Sequence, residues 1–269
     1  MKALYAAVRG ALRRAQEIVF GQGGASEFAP VEGYNPNPRG NKCVILVPVA
    51  HHIEPACDDA LRELERRGYT VWRRYGFSAI DQGRCLLAQQ ALDAGFEELM
   101  WIDADVAFWP ADVDKIRSLN VSMACAAYPV KGWPVMTIEP DTRNNIEFGP
   151  NGLLRTVRYA ATGFLYTHAR VYRRIRTLLE LEPVLIWGQH RAIPYFYPLL
   201  KEGEYLGEDF AFCDRARTAG FTIFLDPTIR LAHIGRYSYS WGFVKQGLME
   251  EPTSLTYTPP ERTRESAGS

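Results

Sequence analysis

No stretch of this sequence reaches the roughly 18 uninterrupted apolar residues of a membrane span, so hydropathy excludes a transmembrane helix. Cysteine is scarce. Cys43, Cys57, Cys85, Cys125 and Cys213 are odd in number and scattered, without any C-x-x-C pair. A disulfide framework and a zinc knuckle are therefore excluded as organising elements, and a reducing, cytoplasmic compartment fits best. Net charge is lacking as well. Lys plus Arg and Asp plus Glu both number 31, so no bulk attraction draws the chain to nucleic acid, although a local basic patch stays open. No internal repeat is visible. What is present is a 269-residue chain of ordinary globular composition, 47% hydrophobic and 23% charged, with length for one large α/β domain or two small ones.

Met1 to Phe20 reads as a basic amphipathic helix, with Lys2, Arg9, Arg13 and Arg14 set against Leu4, Val8, Leu12, Ala15 and Val19. Its charges break any signal-peptide core. Packing on the domain is favoured over a weak membrane-surface contact. Gly21 to Asn41 is rich in Gly, Pro and Asn and reads as a linker. Three segments follow: helix and linker over 1–41, a folded domain over 42–245, and a polar, Pro-rich flexible tail over 246–269.

Within the domain, Cys43 to Val49 is a continuous apolar run, as in a strand buried on both faces. A helix from Pro55 to Gly68, a strand from Tyr69, a helix over Gly83–Ala94, a strand through Ile102, a short helix around Val113 and Ile116 and a strand over Val121–Tyr128 follow. This alternation predicts a parallel α/β sheet. Beyond it, Gly149-Pro150-Asn151-Gly152 signals a hairpin between Val135–Phe148 and Leu153–Ala160. A helix carries Val171, Ile175, Leu178 and Leu179, and Glu208 to Ala219 reads as another. Glu182 to Leu206 is expected to be irregular.

The chemistry concentrates where the run Leu99-Met100-Trp101-Ile102 ends in Asp103-Ala104-Asp105. Two carboxylates so close repel each other unless a cation lies between them. At the carboxyl end of a strand in an open α/β sheet, this points to a metal-assisted site for a phosphate-bearing substrate. A second signal is Gly207-Glu208-Asp209-Phe210-Ala211-Phe212-Cys213, two acids opening a helix whose aromatic residues anchor it. Such a carboxylate is placed to act as a general base. A third is Leu231-Ala232-His233-Ile234-Gly235; imidazole beside carboxylates suits a borderline metal such as Mn(II).

Taken in order, Trp101-Ile102-Asp103-Ala104-Asp105-Val106, Gly163-Phe164-Leu165 before a basic helix, Gly207-Glu208-Asp209 and Leu231-Ala232-His233-Ile234-Gly235 resemble a nucleotide-sugar-dependent glycosyltransferase of the GT-A fold, family-2-like, over Lys42 to Tyr239. The resemblance implies a Rossmann-like α/β fold with a mixed, mostly parallel sheet flanked by helices. It implies Mn(II) or Mg(II) held by Asp105 and His233, with Asp103 on the metal or its water shell and on the ribose. It also implies a UDP- or GDP-linked sugar donor, a glycan or other hydroxyl-bearing acceptor, and inversion with Asp209 as base and Glu208 as support. Pro48 at the end of the first strand, Arg84, Lys131 and Gly163 are expected at the donor. Cys85 stands where the family's Asn would follow Arg84. Trp133 is a candidate for stacking on a sugar, and Trp187, His190, Tyr195, Phe196 and Tyr197 for an acceptor-side loop. His51 and His52 read as loop residues near the nucleotide.

Other readings remain. Haloacid-dehalogenase-like phosphatases also place D-x-D after an apolar strand, with Asp103 then a nucleophile, although here the motif follows two βα units. A retaining transferase shares the fold and the D-x-D. A non-catalytic nucleotide- or glycan-binding module and a nucleic-acid acceptor complete the set.

Overall fold

The computed structural model describes residues 41–142, 144–235, 237–244 and 252–260. The amphipathic helix and linker expected before Asn41 lie outside the described residues. The first half builds β1 (Cys43–Val49), α1 (Pro55–Arg66), β2 (Thr70–Tyr75), α2 (Ile80–Asp93), β3 (Glu98–Ile102), β4 (Val106–Ala107), α3 (Pro110–Ser118) and β5 (Met123–Cys125). Next come β6 (Ile138–Pro140), β7 (Ile146–Phe148), β8 (Arg155–Ala160), β9 (Phe164–His168) and α4 (Ala169–Leu178). Then follow β10 (Val184–Ile186), β11 (His190–Ala192), β12 (Leu199–Lys201), β13 (Glu204–Leu206) and α5 (Glu208–Thr218). The last elements are β14 (Ile223–Leu225), β15 (Ala232–Ile234), β16 (Ser238–Tyr239), α6 (Trp241–Val244) and β17 (Leu255–Tyr257). Every residue of β1 is buried, as its apolar run requires of a strand covered on both faces. Pro55 opens α1 at its first turn, and Gly68, at φ 97°, takes the left-handed turn after it.

Eight strands form one sheet in the order β2-β1-β3-β9-β5-β14-β8-β6. β1 pairs parallel with β2 and β3, and β14 with β5; β9 is antiparallel to β3 and β5, and β8 to β14 and β6. Six of the eight strands therefore run in one direction and only β8 and β9 oppose them, a mixed, mostly parallel sheet with helices flanking it, as expected. β9 wedges between β3 and β5, which the simple βα alternation places side by side. That insertion brings Gly163, just before β9, to the carboxyl end of β3, where its carbonyl accepts a bond from the Asp103 N–H at 3.1 Å. A second, three-stranded sheet, β16-β15-β4, sets His233 opposite Val106.

Three expectations are corrected. Gly149 to Gly152 does turn, with the Gly152 N–H bonded to the Gly149 carbonyl at 2.9 Å, but the two strands nearest it, β7 and β8, do not pair with each other. The antiparallel pairing of Val135–Phe148 with Leu153–Ala160 is made further back, by β6 with β8, while β8 also pairs with β14 and β7 pairs with β17. The expected flexible tail over 246–269 thus contains a docked strand. Leu255 and Tyr257, two residues apart, point the same way and are buried, and the Tyr257 ring lies 6.4 Å from Phe148. The segment expected to be irregular holds two short hairpins, β10-β11 and β12-β13. Among the described residues no helix is long and apolar enough to cross a membrane, and all five cysteines are buried and unpaired.

Candidate active site

The site forms where β3, β15, the loop after β5 and the start of α5 meet. Asp105 lies between two cations or potential cations. Its Oδ2 accepts from Lys131 Nζ at 2.5 Å, and its Oδ1 lies 3.5 Å from His233 Nε2. Burial opposes ionisation of Asp105, but the hydrogen bonds and charge of His233 and Lys131 outweigh it and draw the carboxyl down to about 2. The second ring nitrogen of His233, Nδ1, sits 3.1 Å from the Pro129 carbonyl oxygen, and Tyr128 packs edge-on against the ring at 5.0 Å. Lys131, expected at the donor diphosphate, is thus paired with Asp105.

Asp103 faces the other way. Its Oδ1 accepts from Arg84 Nη2 at 2.8 Å, and its carbonyl oxygen takes a weak bond from Cys57 Sγ at 3.5 Å. Gly163 closes this side. A Cβ there would lie 1.9 Å from Tyr128 Oη and 2.8 Å from Asp103 Oδ2, so no other residue fits without displacing the site. Tyr128 carries no sequence signal of its own; it closes a mostly apolar run that reads as plain strand.

Arg84 comes from α2 and is only 3% exposed. Besides Asp103 it reaches Glu208, with Nε 3.7 Å from Oε1, and its guanidinium lies over Trp101 at 5.7 Å. Its Nε and Nη1 have no hydrogen-bond partner. Glu208 and Asp209 open α5, where the helix dipole favours negative charge. Asp209 Oδ1 accepts from the Phe210 N–H at 2.7 Å. Burial and the neighbouring charge of Glu208 nevertheless raise its carboxyl to about 6, against the lowering effect of that bond and of Arg84.

The remaining sequence candidates scatter. Pro48 is buried in β1, in register with Arg74. His51 is exposed, and so is His52, which pairs with Glu54 at 2.9 Å. Trp133 is 67% exposed. Tyr195 and Phe196 are not acceptor-loop residues but core. Phe196 stacks on Phe212 of α5 at 4.4 Å and meets Trp101 edge-on at 5.2 Å, while Tyr195 packs on Tyr172. Trp187 stacks on Phe77.

Among the described residues no three His, Cys, Asp or Glu side chains converge as a metal cluster. Asp103 Oδ1 is paired with Arg84 and Asp105 Oδ2 with Lys131, which leaves Asp105 Oδ1 and His233 Nε2 facing each other as donors. The Pro129 carbonyl can only accept, so a neutral ring would carry its proton on Nδ1 and turn the Nε2 lone pair on Asp105, whereas a charged ring donates from both nitrogens, to Pro129 and to Asp105. That arrangement calls for a proton or a cation between the two. One carboxylate and one imidazole are donors that would suit a borderline divalent ion.

No family model and no curated relative matches the sequence. Among solved structures, A197 from STIV shares the fold, with a TM-score of 0.51 at 13% identity over 74% of this chain and 90% of that one. A glycosyltransferase involved in the glycosylation of the major capsid of PBCV-1 reaches a TM-score of 0.29 at 16% identity, covering 50% of this chain and 66% of that one. The CTP complex of CMP:2-keto-3-deoxy-manno-octonic acid synthetase reaches 0.35 at 11% identity, covering 69% and 89%.

Proposed function

We propose that this protein is a glycosyltransferase that moves a sugar from a UDP- or GDP-linked donor to the hydroxyl of a glycan or other acceptor, with inversion. The observation that carries this reading is Asp209. It is a carboxylate at a helix N-terminus, raised to about 6, and Arg84 joins the acid beside it to the D-x-D. A base poised near neutrality accepts a hydroxyl proton efficiently. Asp105 and His233 would hold Mn(II) or Mg(II), which when bound supplies charge neutralisation for the departing nucleoside diphosphate. In this reading Gly163 lets backbone lie close to the donor, Lys131 adds a positive charge beside Asp105, and Asp103 contacts the ribose or the metal's water shell.

Calorimetry of UDP, GDP and CDP and their common sugar conjugates, with Mn(II), Mg(II) or chelator, tests the reading. Metal-dependent binding of one nucleotide, lost in Asp105→Ala, is expected; transfer followed by NMR then yields the inverted anomer. Absence of binding to any nucleotide overturns it. Binding without transfer across a broad acceptor panel points to a non-catalytic module.

A further inference from the structure

We infer that Arg84 is a positioning residue that clamps the two acidic motifs, Asp103 at the end of β3 and Glu208 at the start of α5, into one unit. The inference rests on the proposed assignment of Asp103 to the donor side and of Asp209 to the acceptor side. Two carboxylates converging from separate elements repel unless a cation lies between them. One guanidinium from a third element, α2, reaches both, with Nη2 2.8 Å from Asp103 and Nε 3.7 Å from Glu208. The cation has little freedom. It is buried, and it lies over Trp101, whose Nε1 donates to Tyr172 Oη at 2.8 Å. Trp101 also meets Phe196, which stacks on Phe212 of α5, so one aromatic column sets the height of α5 against β3. A buried guanidinium that serves the fold alone is as a rule hydrogen-bonded throughout. Arg84 leaves Nε and Nη1 without hydrogen bonds, and its charge is shared between the two motifs.

The arrangement couples the two halves of the site. Asp209 is faced by Glu208, Asp103 and Tyr128 as acids and by Arg84 as the cation, with the Cys213 thiol one turn along. Removing the cation leaves the carboxylates unopposed and frees Asp103 to rotate. The reach of a planar fork is what a Lys cannot reproduce, although a Lys restores the charge.

The test uses the full chain as wild type, Arg84→Gln, Arg84→Lys and Glu208→Gln. It reads calorimetric binding of the Mn(II) complexes of UDP, GDP and CDP, and the ¹³C NMR titration of the Asp209 carboxyl. Arg84→Gln is expected to lower nucleotide affinity and transfer together, by about 10–100-fold, the loss expected when a charge-assisted hydrogen bond that orients a binding carboxylate is removed. It is also expected to move the Asp209 titration to higher pH. Arg84→Lys should restore that midpoint without restoring nucleotide affinity, a split that a merely structural role does not produce. A folded Arg84→Gln with an unchanged Asp209 midpoint overturns the inference. Should Arg84→Gln not fold, Glu208→Gln takes its place: reduced nucleotide affinity supports the clamp, and unchanged affinity overturns it. If wild type binds no nucleotide while the Asp209 midpoint shifts as expected, the clamp stands and the proposed function fails.

Discussion

His233 Nε2 and Asp105 Oδ1 face each other across 3.5 Å while His233 Nδ1 lies 3.1 Å from the Pro129 carbonyl. The carbonyl fixes which nitrogen carries the proton of a neutral ring, and the small β16-β15-β4 sheet fixes the distance. Asp105→Ala removes the anionic half of this pair. Calorimetry should then show no Mn(II)-dependent nucleotide binding, while circular dichroism remains that of the wild type. Retained affinity in Mn(II) would refute the assignment.

Asp209→Asn should leave nucleotide affinity intact and cut transfer by about 10²–10⁴-fold, the usual loss on removing a general base. Transfer by the wild type should fall as pH drops through about 6, because the base works only when ionised.

The same carboxyl has a stability signature. Its folded pKa is raised, so the folded state holds the proton more tightly than the unfolded chain, and stability declines as pH rises from about 4 to about 6. Above that window the ionised Asp209 is a net cost. Asp209→Asn should therefore unfold later than wild type at pH 8, by ~1–2 kcal/mol, and the gap should close at pH 4. Thermal melts at the two pH values decide it.

Gly163→Ala drives a methyl group into Tyr128 Oη and Asp103 Oδ2. Overpacking of this kind costs about 1–3 kcal/mol. Adding Tyr128→Phe should recover only part of that loss, because the Tyr128 ring carbon Cζ is itself 2.8 Å from the new Cβ. Full recovery in denaturant titrations would show that the hydroxyl alone sets the constraint.

Phe196→Ala empties the contact between Trp101 and Phe212 and should cost about 3–5 kcal/mol. Trp133→Ala, at an exposed loop position, should change stability by no more than ~0.5 kcal/mol. Chemical denaturation of the two variants separates packing from surface.

The sequence reveals the acids well because local signals mark them. Asp103 and Asp105 end an apolar run, Glu208 and Asp209 follow a glycine into a helix, and His233 closes a short strand. What brings them together is not local. β9 enters between β3 and β5 by a pairing that no periodicity announces, and with it comes Gly163. Arg84 has the composition of a solvated residue near a helix start; its burial depends on Trp101 and Glu208, which come from other elements. Tyr195 and Phe196 misled for the opposite reason, since aromatic residues in a Pro-rich stretch look alike whether they face a ligand or a core. β17 offered only Leu255 and Tyr257, too few for a pattern.

That last strand bears on how the chain is made. Its partner β7 leaves the ribosome long before Leu255–Tyr257 does, so a growing chain holds an open strand edge and a half-covered Phe148 until synthesis is nearly past them. Open edges invite pairing with foreign chains, and N-terminal parts of a domain emerge first. A ribosome stalled between residues 225 and 250 would therefore carry a nascent domain whose main-sheet strands are all synthesised but whose β7 edge is bare, the state in which a holding chaperone has most to protect.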